Sequence, residues 1–90
     1  MPRFLVQGTY SEGYHVVPNE NGARRLQAVI SRNAERGVTW LRSYVTRDRS
    51  RTYCLYEGPD AATIRAVAEA NGLPVDHIIE VRVLDPYFHY

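Results

Sequence analysis

Strand-like and helix-like patterns follow one another along this chain in the order strand, helix, strand, strand, helix, strand, and few architectures accept that order in 90 residues. Arg3 to Tyr10 mixes β-branched, aromatic and polar residues and reads as the first strand. Ser11 to Gly22 carries Gly13, Pro18, Asn19, Asn21 and Gly22, the punctuation of a loop. A helix is predicted from about Asn21 to Arg36, with Ala23, Leu26, Ile30 and Ala34 on its inner stripe and Gln27 and Asn33 beside it. Asn19 or Asn21 can cap its start, and Gly37 suits the left-handed residue that ends it. Val38 to Thr46 alternates as a second strand, Arg47-Asp48-Arg49-Ser50-Arg51 makes a hairpin turn, and Thr52 to Glu57 is a third strand. Gly58-Pro59-Asp60 then starts a second helix, with Asp60 as N-cap, an inner stripe of Ala61, Ile64, Val67, Ala68 and Asn71, and Gly72 closing it. Leu73 to Asp76 is a connector, Ile78 to Leu84 the fourth strand, and Asp85-Pro86 its end.

Two strand-helix-strand units joined by a hairpin build a four-stranded antiparallel sheet with both helices on one face, the ferredoxin-like β-α-β-β-α-β sandwich of the α+β class. At this length residues 1–90 are expected to form one domain. Alternation assigns Phe4, Val6, Leu41, Val45, Tyr53, Leu55, Ile79, Val81 and Val83 to the helix side. The opposite parity holds Leu5, Gln7, Thr9, Trp40, Arg42, Tyr44, Cys54, Tyr56, Glu80, Arg82 and Leu84. That second set is too aromatic to face water alone and too polar for a plain core. It reads as a dimer interface, a ligand pocket or both.

Charge and composition remove several classes of function. A net charge of +1 gives no general attraction to nucleic acid or to an anionic membrane. All 11 basic residues are arginines, and a chain without lysine has no Schiff-base chemistry, no lysine base and no phosphate-loop lysine. No apolar run reaches the roughly 20 residues that span a bilayer. The opening Met-Pro-Arg-Phe-Leu-Val-Gln runs straight into a strand pattern rather than a signal peptide, and the expected location is the cytoplasm. The lone Cys54 excludes an intramolecular disulfide and a paired-cysteine metal site, and its mid-strand place gives it no neighbouring base as a nucleophile.

Three constellations remain. The metal-ligating types are His15, His77 and His89, helped by Glu12, with no helical i, i+4 pair among them. The open-face pocket set is Trp40, Arg42, Tyr44, Cys54, Tyr56, Glu80 and Arg82. There Arg42 and Arg82 could hold a carboxylate, the tyrosines could donate to a carbonyl and Glu80 could act as base, which suits a small aromatic ligand. The bland alternative is that Glu80 and Arg82 are simply partners of Arg42 and another carboxylate across the sheet or dimer. RNA-recognition modules share this element order, but the third strand lacks their glycines and has Cys54 where they stack an aromatic. Asp48 beside the hairpin arginines, with the near-neutral charge, also argues against nucleic acid.

Several stretches carry a resemblance. They are Pro2-Arg3-Phe4-Leu5-Val6, Asn33-Ala34-Glu35-Arg36-Gly37-Val38-Thr39-Trp40, Ser43-Tyr44-Val45, Tyr53-Cys54-Leu55-Tyr56-Glu57-Gly58-Pro59, Asn71-Gly72-Leu73-Pro74-Val75-Asp76 and Val81-Arg82-Val83-Leu84-Asp85-Pro86-Tyr87. In this order they resemble a family of small bacterial proteins of unknown function whose characterised representative is described as nickel-binding. The resemblance implies a ferredoxin-like sandwich that forms a homodimer and binds nickel or a similar divalent ion at its surface. Family members often carry a histidine two residues after the tryptophan, where this chain has Arg42, a cation that repels metal. The expectation is therefore a cytoplasmic homodimer that binds a divalent metal, with His15, His77, His89 and Glu12 as ligands. The alternative is a cofactor-independent dimeric α+β-barrel enzyme, an isomerase, cyclase or monooxygenase acting on a small aromatic or polyketide-like molecule.

Overall fold

The computed structural model of the chain describes residues 1–13 and 20–87. Its elements are β1 (Arg3–Thr9), α1 (Glu20–Glu35), β2 (Thr39–Val45), β3 (Arg51–Glu57), α2 (Ala61–Ala70) and β4 (His77–Val81). The strands form one antiparallel sheet in the order β2-β3-β1-β4, the ferredoxin-like α+β arrangement. The core lies between sheet and helices, where Phe4, Val6, Val38, Tyr56, Ile64 and Val67 are buried together.

Local chemistry explains each boundary. The hairpin turns on Asp48, whose Oδ1 accepts from the Ser50 amide at 3.0 Å and from the hydroxyls of Ser50 and Thr46 at 2.7 Å each. These bonds let Arg49 take a φ of 64°. The Asp60 side chain caps α2 by accepting from the Thr63 amide at 2.7 Å. Both helices end alike. Gly37 and Gly72 take φ of 70° and 71°, and the residues after them, Val38 and Leu73, donate back to the Asn33 and Ala68 carbonyls at 2.9 Å. A side-chain bond joins the two ends, from Asn71 Nδ2 to Asn33 Oδ1 at 3.0 Å.

That bond corrects the expected stripe of α1. Ala23, Ile30 and Ala34 are exposed, and the inward positions are Gly22, Leu26, Val29 and Asn33. The helix is turned by about one residue from its most apolar setting. Asn33, only 1 % exposed, takes a position that hydropathy would give to an apolar residue, because its carbonyl and amide oxygens serve the two helix ends. β4 is also shorter than expected and stops at Val81.

Acid should loosen both the hairpin turn and the α2 cap. Bonds from Ser50 and Thr46 hold the Asp48 carboxyl well down, from 3.8 to about 2, the Ser50 amide contributing most. Thr63 lowers that of Asp60 through its hydroxyl and then its amide. A lowered folded-state value gives stability that is complete above the unfolded value and is lost as pH falls through the folded one. For Asp48 that window runs from 3.8 down to about 2. Urea unfolding of the wild type and Asp48→Asn should therefore differ at neutral pH and converge toward pH ~2. An equal gap at both pH values would contradict this role for Asp48.

Candidate functional site

Register fixes which side chains share a face. Phe4 stands opposite Tyr56 and Glu80, Val6 opposite Cys54 and Ile78, and Gly8 opposite Thr52. Phe4 and Val6 are buried under the helices, so Tyr56, Cys54, Thr52, Ile78 and Glu80 belong to the helix side. The open face carries rows that run across the sheet. One is Tyr44, Tyr53, Gln7 and His77, and the next is Arg42, Leu55, Leu5 and Ile79.

The expected open-face pocket is thereby divided. Arg42 and Tyr44 do lie on the open face, Tyr44 at 58 % exposure. Trp40, Cys54, Tyr56 and Glu80 lie on the helix side, and Arg82 is exposed beyond the end of β4. In β2 the cause is a bulge between Trp40 and Arg42, with Leu41 as the extra residue, so that two positions expected on one face point to opposite ones. The Trp40 indole N–H donates to Ser43 Oγ across this bulge at 2.7 Å. In β3 both parities are apolar, Tyr53 and Leu55 against Cys54 and Tyr56, and in β4 alternation favours Ile79 and Val81 over Ile78 and Glu80. Pairing with β1 decides the first and reverses the second. Tyr53, Leu55, Ile79 and Val81, expected under the helices, are on the open face.

What the helix side holds instead is a partly enclosed cavity of about 290 Å³. Trp40, Ser43 and Val45 of β2 and Thr52, Cys54 and Tyr56 of β3 form its floor. Val6 and Tyr10 close one side, Leu26 and Val29 of α1 another, and Ala68, Leu73 and Pro74 a third. No charged side chain lines it among the described residues. The sequence signal for this cavity was the surplus of aromatic residues in the second parity set, read onto the wrong face.

The expected metal ligands are less gathered. His77 begins β4, exposed, opposite Gln7 at one end of the sheet. Glu12 is exposed in the turn after β1, at that same end. Beside them Thr9 Oγ1 donates to Asp76 Oδ2, and the Asp76 amide donates to the Gln7 carbonyl at 2.7 Å. His15 and His89 lie outside the described residues. Among the described residues no three His, Cys, Asp or Glu side chains come together closely enough to hold a metal ion, so these residues alone do not complete a centre. Asn33 Nδ2, buried without a hydrogen-bond partner, is not among the residues that line the cavity. No helix among the described residues is long and apolar enough to cross a membrane.

Comparison with known proteins bears on this arrangement. Curated proteins return no match. Among solved structures, the crystal structure of SCO4226 from Streptomyces coelicolor A3(2) is similar with a TM-score of 0.70 at 24 % identity, covering 92 % of this chain and 99 % of that one. At that identity the likeness speaks for the fold. A family model described as nickel responsive protein SCO4226-like matches residues 4–81, from the second residue of β1 to the last of β4. With the match running through every strand and helix of the sandwich, the chain belongs to the SCO4226-like nickel responsive protein family.

Proposed function

We propose that this protein binds nickel or a similar divalent ion as a homodimer, with His77 supplying one imidazole and Glu12, His15 and His89 the other donors. The family description as nickel responsive supports the choice of metal. The observation that carries the reading is His77 itself. Its side chain is exposed and makes no hydrogen bond to a described residue, so a ring nitrogen is available as a borderline donor of the kind nickel accepts. Glu12 at the same end of the sheet offers a carboxylate to complement it. Arg42 does not oppose this. It lies on β2 while His77 lies on β4, three strand spacings away or about 14 Å, beyond the screening length of physiological salt.

The open face supports the homodimer. Leu55, Leu5 and Ile79 form an apolar row flanked by Tyr44 and Tyr53, with Ile79 53 % exposed. A second copy related by a two-fold axis would pair this surface with itself and could bring donors from both chains to one ion. The same reading assigns the protein to the cytoplasm, where a lone thiol such as Cys54 stays reduced.

Calorimetric titration of the chelator-stripped protein with nickel, zinc and cobalt tests the metal. Nickel should bind with a defined stoichiometry, His77→Ala should weaken it by at least about tenfold, and replacing His15, His77 and His89 together by alanine should abolish it. Full affinity in the triple variant would overturn the ligand assignment. Light scattering should return the mass of a dimer, and Ile79→Arg should return that of a monomer.

A further inference from the structure

We propose that the cavity between the sheet and the helices is a second, separate ligand site, for a neutral bicyclic aromatic molecule carrying one hydroxyl or carbonyl group. It opens on the helix side of the sheet, whereas His77 is on the open face, so it does not depend on the metal reading.

Size, charge and one polar group define the ligand. An apolar cavity of roughly 150 Å³ takes a single benzene ring, and this one, at about 290 Å³, has room for about twice that. Its walls are aromatic and aliphatic: Trp40 and Tyr56 contribute from the sheet, and Leu26 and Val29 from α1. With no charged side chain among the described lining residues, an anion or cation would lose its hydration without replacement from them, which favours a neutral ligand.

The polar group is Thr52. Its side chain lines the cavity and the residue is only 5 % exposed, yet it makes no hydrogen bond to a described residue. Among the described residues Asn33 Nδ2 is the one buried side-chain polar atom without a partner, so the Thr52 hydroxyl is accessible from the cavity, where a ligand hydroxyl or carbonyl can bond to it. Ser43, beside it in the lining, has one lone pair taken by the Trp40 N–H, whereas the Thr52 hydroxyl is free both to donate and to accept, so Thr52 is the side chain assigned to the ligand's polar group. Cys54, the chain's single cysteine, lies on the same floor and reports occupancy.

The test uses 2-naphthol as probe, naphthalene as its form without the hydroxyl and naphthalene-2-sulfonate as its charged form. Calorimetry on the wild type should give saturable one-site binding of 2-naphthol, with the sulfonate at least about tenfold weaker. Saturating 2-naphthol should slow alkylation of Cys54 by N-ethylmaleimide at least about tenfold. Thr52→Val should weaken 2-naphthol by about five- to tenfold and leave naphthalene unchanged, a difference that loosened packing would not produce. Val29→Phe, which fills the cavity from α1, should weaken both neutral probes. The proposal is overturned if 2-naphthol does not saturate, if the sulfonate binds equally well, or if Cys54 reacts at the same rate with and without 2-naphthol. It also falls if Thr52→Val weakens both neutral probes alike.

Discussion

Gly8→Ala should destabilise the protein by about 3 kcal/mol or more, although the change adds one methyl group to a strand. Gly8 shares the helix-facing parity of Phe4 and Val6, and a Cβ there would stand 2.5 Å from the Pro74 carbonyl oxygen and 3.1 Å from Pro74 Cγ. The first of these is backbone and cannot swing away. The connector that contains Pro74 is held against β1 by the Asp76 amide on the Gln7 carbonyl and by Thr9 on Asp76, so it cannot withdraw cheaply either. Relief requires either the connector to lift or β1 to shift, and both disturb the edge where β4 begins. A domain of this size has about 5–13 kcal/mol to lose, so thermal unfolding should show a fall in Tm of more than 10 °C, at about 4–8 °C per kcal/mol. A fall of only a degree or two would mean that the connector is not fixed where it lies.

Ile64→Ala should cost about 3–4 kcal/mol in urea unfolding. Ile64 is 1 % exposed and packs in the cluster of Phe4, Val6, Val38, Tyr56 and Val67, at the point where α2 meets the sheet. Its reach toward the backbone is tight: a Cβ on Gly58 would come within 2.8 Å of Ile64 Cδ1 and 3.3 Å of Val38 Cγ2. Two effects follow. Truncation leaves a void that β3 and α2 cannot both close, because the strand end and helix start are joined through Gly58-Pro59-Asp60 and the Asp60 cap. Removing only Cδ1, with Ile64→Val, should cost about 1 kcal/mol and at the same time make Gly58→Ala less damaging. Independent, additive effects of Gly58→Ala and Ile64→Val would show that the two residues do not meet.

Most of the fold was legible because its signals are local. The second helix is an example: Asp60, Ile64, Val67, Ala68 and Gly72 each take the part that their residue type suggests, cap, core and terminator. The hairpin turn was equally plain, since Asp48 with Thr46 and Ser50 around it can close a turn unaided. The face assignments were not legible beyond β1. Strand parity depends on which residues stand opposite one another: in β3 both faces are apolar enough to be the core, and in β4 the more apolar parity lies on the open face. One bulge at Leu41 then separates Trp40 from Arg42, and nothing in the local residue pattern marks it. For α1 the misplacement came from Asn33, whose side chain is buried against a partner, Asn71, at the end of the other helix.

The candidate sites divide along the same line. Residue types suitable for metal could be read directly, but their gathering depends on tertiary structure, and only Glu12 and His77 fall within the described residues. The aromatic ligand suggested by Trp40, Cys54 and Tyr56 keeps its residues and changes its side of the sheet. That exchange leaves the open face less polar than expected, with the row of Leu55, Leu5 and Ile79 at its centre, a better surface for a second copy than for a substrate.

The place of His77 in nickel binding can be measured directly by anomalous diffraction at the nickel absorption edge, on crystals of the nickel-loaded protein. The expected result is an anomalous peak at bonding distance from a ring nitrogen of His77. Nickel peaks found only away from His77, or none at saturating nickel, would contradict the proposed function.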